Sequence, residues 1–141
     1  MRLEGGFQGR TNKLVDGCYS FWQGAVFAML PPAAGDGSMS DSMLLDREGL
    51  QKYIIRGCQP VIGGLRDKPG KGRDFYHSCY CLSGLSVAQH AASGEPALVW
   101  GAPENEVRPT HPAYNIAFDH VETTRAHFAS APATHAALTS E

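Results

Sequence analysis

Apolar residues recur with helical spacing in four stretches of the chain. Phe21, Trp22, Ala25, Val26, Met29 and Leu30 follow an i, i+3, i+4 pattern and predict a helix over 17–30, which Pro31 and Pro32 end. A connection, PPAAGDGSMS over 31–40, precedes a second helix over 41–57. Ser40 or Asp41 would cap it, and Leu44, Leu45, Leu50, Tyr53, Ile54 and Ile55 would be its apolar face. Cys58 then reads as a buried structural thiol. After a Gly- and Pro-rich loop over 59–73, a third helix spans 74–91. Asp74 is its candidate cap, and Leu82, Leu85, Val87 and Ala88 form its core face. Pro96, Pro103, Pro109 and Pro112 make 92–118 loop. A last helix covers 119–129, capped by Asp119, with Val121, Thr124 and Phe128 inward. The small, polar tail from Ser130 is expected to be disordered. The pattern predicts an all-α chain.

The chain also repeats itself. RTNKLVDGCYSFW (10–22) and RDFYHSCYCLSGL (73–85) align with Tyr19 on Tyr80, Cys18 on Cys79 and Asp16 on His77. Gly5-Gly6-Phe7 then falls on Gly63-Gly64-Leu65, with three extra residues in the second copy. The period is about 60 residues, and stacked repeats bring equivalent positions together, so Asp16, Cys18 and His77 can converge. Carboxylate, thiolate and imidazole together are donors that zinc accepts, and three protein ligands leave a fourth position open. Asp16 and Cys18 would diverge by about 200° in a regular helix. They can share an ion only at a turn, which Gly17 permits. Plainer readings stand beside this one: Asp16 as an N-cap, Cys18 as a small buried hydrophobe, His77 as a hydrogen-bonded core histidine. Arg10 and Lys13, taken alone, read as a solvated basic loop, as do Arg66, Lys68, Lys71 and Arg73 around Asp67. His111, His120, His127 and His135 share no spacing and read as surface or structural.

Composition narrows the classes. The 141 residues are 43% hydrophobic and 18% charged, with a net charge of −2. Nothing here points to nucleic acid or to membrane insertion. The N-terminus lacks the sections of a signal peptide. Four cysteines in an ordinary composition suit reduced thiols and a cytoplasmic setting.

GGFQGRTNKLVDGCYSFW, GGLRDKPGKGRDFYHSCYCLSGLSVAQH and PTHPAYNI (109–116) closely resemble the β subunit of protein farnesyltransferase, from Gly5 to about Phe128. The resemblance implies an α–α toroid, of which residues 1–129 would supply two to three helical hairpins and 130–141 the tail. It implies a zinc-dependent transfer of farnesyl from farnesyl diphosphate to the cysteine of a Cys-a-a-X box, in a heterodimer with an α subunit. Asp16, Cys18 and His77 would hold zinc. Arg10, Lys13, Tyr19 and Lys71 would clamp the diphosphate, and Asp67 would bind magnesium beside it. Trp22, Tyr76 and Tyr80 would contact the isoprenoid, and PTHPAYNI would pack across the ring. Tyr80 resembles the farnesyl enzyme, where the related geranylgeranyltransferase type I tends to have phenylalanine. The resemblance covers the last part of a longer chain. It thus leaves two other readings, a geranylgeranyltransferase type I β subunit and a non-catalytic fragment that binds only zinc or the α subunit. The apolar faces of an incomplete ring predict poor solubility for the chain alone.

Overall fold

The computed structural model describes residues 3–30, 45–90 and 96–130. Its regular elements are helical: α1 (Tyr19–Trp22), α2 (Gly24–Met29), α3 (Arg47–Tyr53), a π-helical turn (Ile54–Cys58), α4 (Phe75–Gln89), a 3-10 turn (Pro103–Asn105) and α5 (Phe118–Ser130). Among the described residues there is no β-strand. The expected 130–141 tail lies outside the described residues, apart from Ser130 at the end of α5.

The first expected helix is divided. Gln23 separates α1 from α2, and its Nε2 donates to the carbonyl of Gln8 at 2.8 Å. Of the six apolar positions, Phe21 and Ala25 are buried, while Trp22, Val26, Met29 and Leu30 are about half exposed. The apolar stripe is wider than the face that α4 covers. Leu30 is extended, φ −70° and ψ 137°, as a residue before proline must be.

The second helix begins later than expected. Ser40, Asp41 and Leu44 lie outside the described residues, and the observed cap is Asp46, whose Oδ1 accepts from Gly49 N–H at 2.8 Å. Asp46→Ala is expected to cost about 1 kcal/mol in thermal or denaturant unfolding. Leu45, Leu50, Tyr53 and Ile54 supply buried surface as the pattern requires, and Cys58 is fully buried.

α4 is the packing centre. α1 and α2 lie against it from one helical segment, and α3 with the π turn from another. The 98–110 segment is stitched to it by buried side chains. Gln89 donates to Asn105 O and accepts from Val107 N–H, and Ser86 Oγ bonds Arg108 O and Thr110 N–H. Gln51 on α3 reaches the same segment, donating to Leu98 O and accepting from Trp100 N–H. The C-terminal half of α4, Ser83 to Gln89, is therefore buried on every side, which no amphipathic stripe could show. Leu82, expected inward, is 48% exposed, although its neighbour Cys81 is fully buried, so burial is still one-sided at this point of the helix. On α5 only Val121 is buried, and Phe128 and Thr124 face outward. Asp119 sits inside the first turn of α5 and pairs with Arg108 at 2.6 Å. His120 and His127 are exposed, His111 stacks on Tyr114, and His135 lies outside the described residues.

Three loops share one construction. Isolated antiparallel bridges join Gln8 to Val15, Arg66 to Arg73 and Thr110 to Ala117. Each is followed by the same backbone bond: Asp16 N–H to Phe7 O, Asp74 N–H to Leu65 O, Phe118 N–H to Pro109 O. The repeat thus has a third copy, and its register differs from the sequence alignment. The loops are equal in length, and the three extra residues fall at the start of the helix. Asp16 is the counterpart of Asp74, not of His77.

Candidate functional site

That register explains how the site is built. Asp16 closes the first loop, and its Oδ1 accepts from Cys18 N–H at 3.0 Å, forming the turn that lets the two side chains converge. Cys18 is 4% exposed at the start of α1. His77 stands in the first turn of α4, where its Nε2 lies 3.2 Å from Asp16 Oδ1. The donor atoms of Asp16, Cys18 and His77 all lie within 4.8 Å of one another. Ligands on one tetrahedral zinc are separated by ~3.5 Å, so the three donors stand near the spacing that an ion requires.

Asp74 completes the arrangement. Its Oδ1 caps α4 by accepting from His77 N–H at 2.7 Å, and its Oδ2 lies 2.7 Å from His77 Nδ1. Equivalent carboxylates of successive repeats therefore grip the two nitrogens of one imidazole. A proton held on Nδ1 by Asp74 leaves the Nε2 lone pair facing Asp16 and Cys18. The Asp74 carboxyl is held below its ordinary range, first by the His77 backbone N–H and then by the ring. Sequence reasoning saw Asp74 as a cap and missed this second contact. Its signal was the i, i+3 spacing to His77.

Burial pushes the Cys18 thiol up to about 12, with the hydrogen bond and charge of Asp16 adding to the rise and Tyr76 opposing it. Such a thiol stays protonated near neutral pH unless a cation compensates its charge. The donor set and its electrostatics both fit a metal ion.

An aromatic wall adjoins the triad. Tyr76 meets His77 edge-on at 5.1 Å, and Tyr80 lies 4.8 Å from Tyr76 and 4.4 Å from Trp22. Trp22 Nε1 donates to Tyr76 Oη at 3.0 Å. Phe21 backs both Trp22 and Tyr80. Trp22 and Tyr76 are about half exposed, so the wall presents an open aromatic face.

The remaining expected residues lie on the loops. Arg10, Lys13 and Lys71 are exposed, and none is in an ion pair with a described residue. Tyr19 is half-buried, with its hydroxyl against Gly9 beside Arg10. Asp67 pairs with Lys68 through Oδ2, while its Oδ1 is buried without a hydrogen-bond partner among the described residues.

Residues 1–116 match the family described as the prenyltransferase alpha-alpha toroid domain. A protein farnesyltransferase subunit beta from Pyricularia oryzae is 43% identical over 150 residues, covering 90% of this chain and 29% of that protein. A geranylgeranyl transferase type-1 subunit beta from Arabidopsis thaliana is 41% identical over 86 residues, covering 61% of this chain and 20% of that protein. The solved Candida albicans protein geranylgeranyltransferase-I complexed with GGPP shares the fold. Its TM-score is 0.64 at 24% identity, over 86% of this chain and 28% of that one. This chain therefore spans less than half the length of these relatives. Its helical repeats, the three matching loops and the extent of the family match establish that the chain belongs to the prenyltransferase α–α toroid family, as a relative of protein farnesyltransferase β subunits.

Proposed function

We propose that the chain carries the zinc-binding segment of a protein farnesyltransferase, working in the cytoplasm in a heterodimer with an α subunit. The convergence of Asp16, Cys18 and His77 is the observation that supports it. Zinc at this triad would take the cysteine sulfur of a Cys-a-a-X acceptor protein as its fourth ligand and hold it as thiolate. The aromatic face of Trp22, Tyr76 and Tyr80 would hold the isoprenoid beside it, through apolar contact and without charge. The new bond joins sulfur to the first farnesyl carbon as that carbon's bond to the diphosphate oxygen breaks. Arg10, Lys13, Tyr19 and Lys71 would stabilise the negative charge on the departing diphosphate. The unpartnered Oδ1 of Asp67 is a hard oxygen donor of the kind magnesium takes, together with phosphate oxygens.

A geranylgeranyl donor is the alternative, favoured by the Arabidopsis relative. Elemental analysis of the purified chain should find about one zinc per chain, lost in the Asp16→Ala, His77→Ala double variant. Paired with an α subunit, the chain should turn over a Cys-a-a-X peptide faster with farnesyl than with geranylgeranyl diphosphate. Zinc-free wild-type protein would reject the metal reading. Zinc without turnover would leave the chain a binding segment, and a geranylgeranyl preference would reverse the donor assignment.

A further inference from the structure

We propose that Tyr53 is a positioning residue for the metal centre, acting through the carbonyl of Asp67 on the peptide of Gly17. The inference rests on the metal reading above and adds a residue to it. Gly17 lies between two of the three candidate ligands, so its orientation sets where Asp16 and Cys18 point. Its N–H donates to Asp67 O at 2.7 Å. The same oxygen accepts the Tyr53 hydroxyl at 3.0 Å and lies 3.5 Å from Cys58 Sγ. A carbonyl has two lone pairs, and the amide and phenol are the stronger donors, so Tyr53 and Gly17 divide the acceptor between them.

Everything around this oxygen is close-packed. A Cβ on Gly17 would lie 2.5 Å from Cys81 Sγ, 2.8 Å from Cys58 Sγ and 3.0 Å from Arg66 O. A Cβ on Gly6 would lie 2.8 Å from Tyr53 Cδ1, so the first loop passes directly over the tyrosine ring. Tyr53 is 8% exposed. It comes from α3, which packs against α4 but supplies none of the three candidate ligands. Its hydroxyl thus ties α3 to the second loop, while its ring packs under the first. The tie also bears on Asp67, whose carbonyl is held here while its carboxylate has a buried, unpartnered oxygen. Cys58 and Cys81 are fully buried packing partners at this junction. The Cys81 thiol is driven upward by its hydrogen bond with Cys58 and by burial.

The test compares wild type, Tyr53→Phe and Ile54→Val in the full chain. Ile54, adjacent and 1% exposed, serves as a core variant that loses packing without touching the Asp67 carbonyl. Amide hydrogen exchange at Gly17 is measured without metal, and zinc affinity by chelator competition. Tyr53→Phe should exchange Gly17 about tenfold faster and bind zinc about tenfold more weakly, as outer-shell changes do. Its cobalt-substituted form should show a shifted thiolate charge-transfer band. Ile54→Val should lower Tm and leave all three readouts unchanged. If Tyr53→Phe also lowers only Tm, Tyr53 is structural and the proposal fails while the metal site stands. If wild type binds no zinc, the metal reading fails first, and the positioning role with it.

Discussion

His77→Ala is expected to abolish stoichiometric zinc uptake, with a loss in affinity of more than a hundredfold. Structural zinc sites with four ligands reach roughly 10–16 kcal/mol, or about 3 kcal/mol per ligand, and each 1.4 kcal/mol is tenfold. A three-ligand site has no spare donor to offset the loss. The informative companion is Asp74→Asn. Asparagine caps a helix as well as aspartate does, so α4 should keep its first turn and the variant its Tm. What changes is the charge behind Nδ1, and that should weaken zinc by 10–100-fold. Chelator competition measures the affinities, and thermal unfolding with and without zinc gives a second readout, since only a bound ion raises Tm. If Asp74→Asn bound zinc like wild type, the carboxylate grip on His77 would be no more than a helix cap. If His77→Ala kept its zinc, the triad would not be the site.

The convergence of the triad was legible because the donor types and the repeat pointed to one place. The reason it converges was not legible. An alignment on Tyr19 and Tyr80 made Asp16 the equivalent of His77, whereas the backbone bonds make it the equivalent of Asp74. The bridges that fix the register involve residues as dissimilar as Val15, Arg73 and Ala117, so no side-chain pattern carries them. For the same reason the third loop, with Pro109 and Phe118 where the others have Phe7 or Leu65 and aspartate, was invisible as a repeat. Helix positions were readable where burial is one-sided, as for Leu50 on α3 and Ile54 on the π turn. They were not readable on α4, where Ser83, Gly84, Ser86 and Gln89 are as buried as Leu85. Polar residues there answer backbone groups of distant loops, and periodicity cannot see a partner. Trp22 and Tyr76 belong to the second kind as well. Their exposure is set by the aromatic wall and not by an amphipathic stripe.

Gly84→Ala should damage the site from a distance. Gly84 marks the crossing of α4 with α1, where an added Cβ would meet Ser20 Cβ, and would lie 2.6 Å from Ser20 C and 2.9 Å from Phe21 N. Those atoms belong mostly to backbone, so no rotamer change relieves the overlap and the helices must part. Alanine gains roughly 0.5–1 kcal/mol over glycine in a helix interior. Overpacking typically costs 1–3 kcal/mol, and a backbone collision belongs at the upper end, so the collision wins and the net loss should be about 2 kcal/mol. The consequence for function follows from what each helix carries. Cys18 stands at the start of α1 and His77 in the first turn of α4, so parting the two helices widens the gap that an ion must bridge. Gly84→Ala should therefore weaken zinc by at least tenfold even at temperatures where the variant is fully folded, and Gly84→Val should do so more severely. Chelator competition on folded protein, beside thermal unfolding, checks both effects. A variant that loses stability but keeps wild-type zinc affinity would mean that the two halves of the site are held together by their loops, through the Gly17–Asp67 bond, and not by the helix crossing.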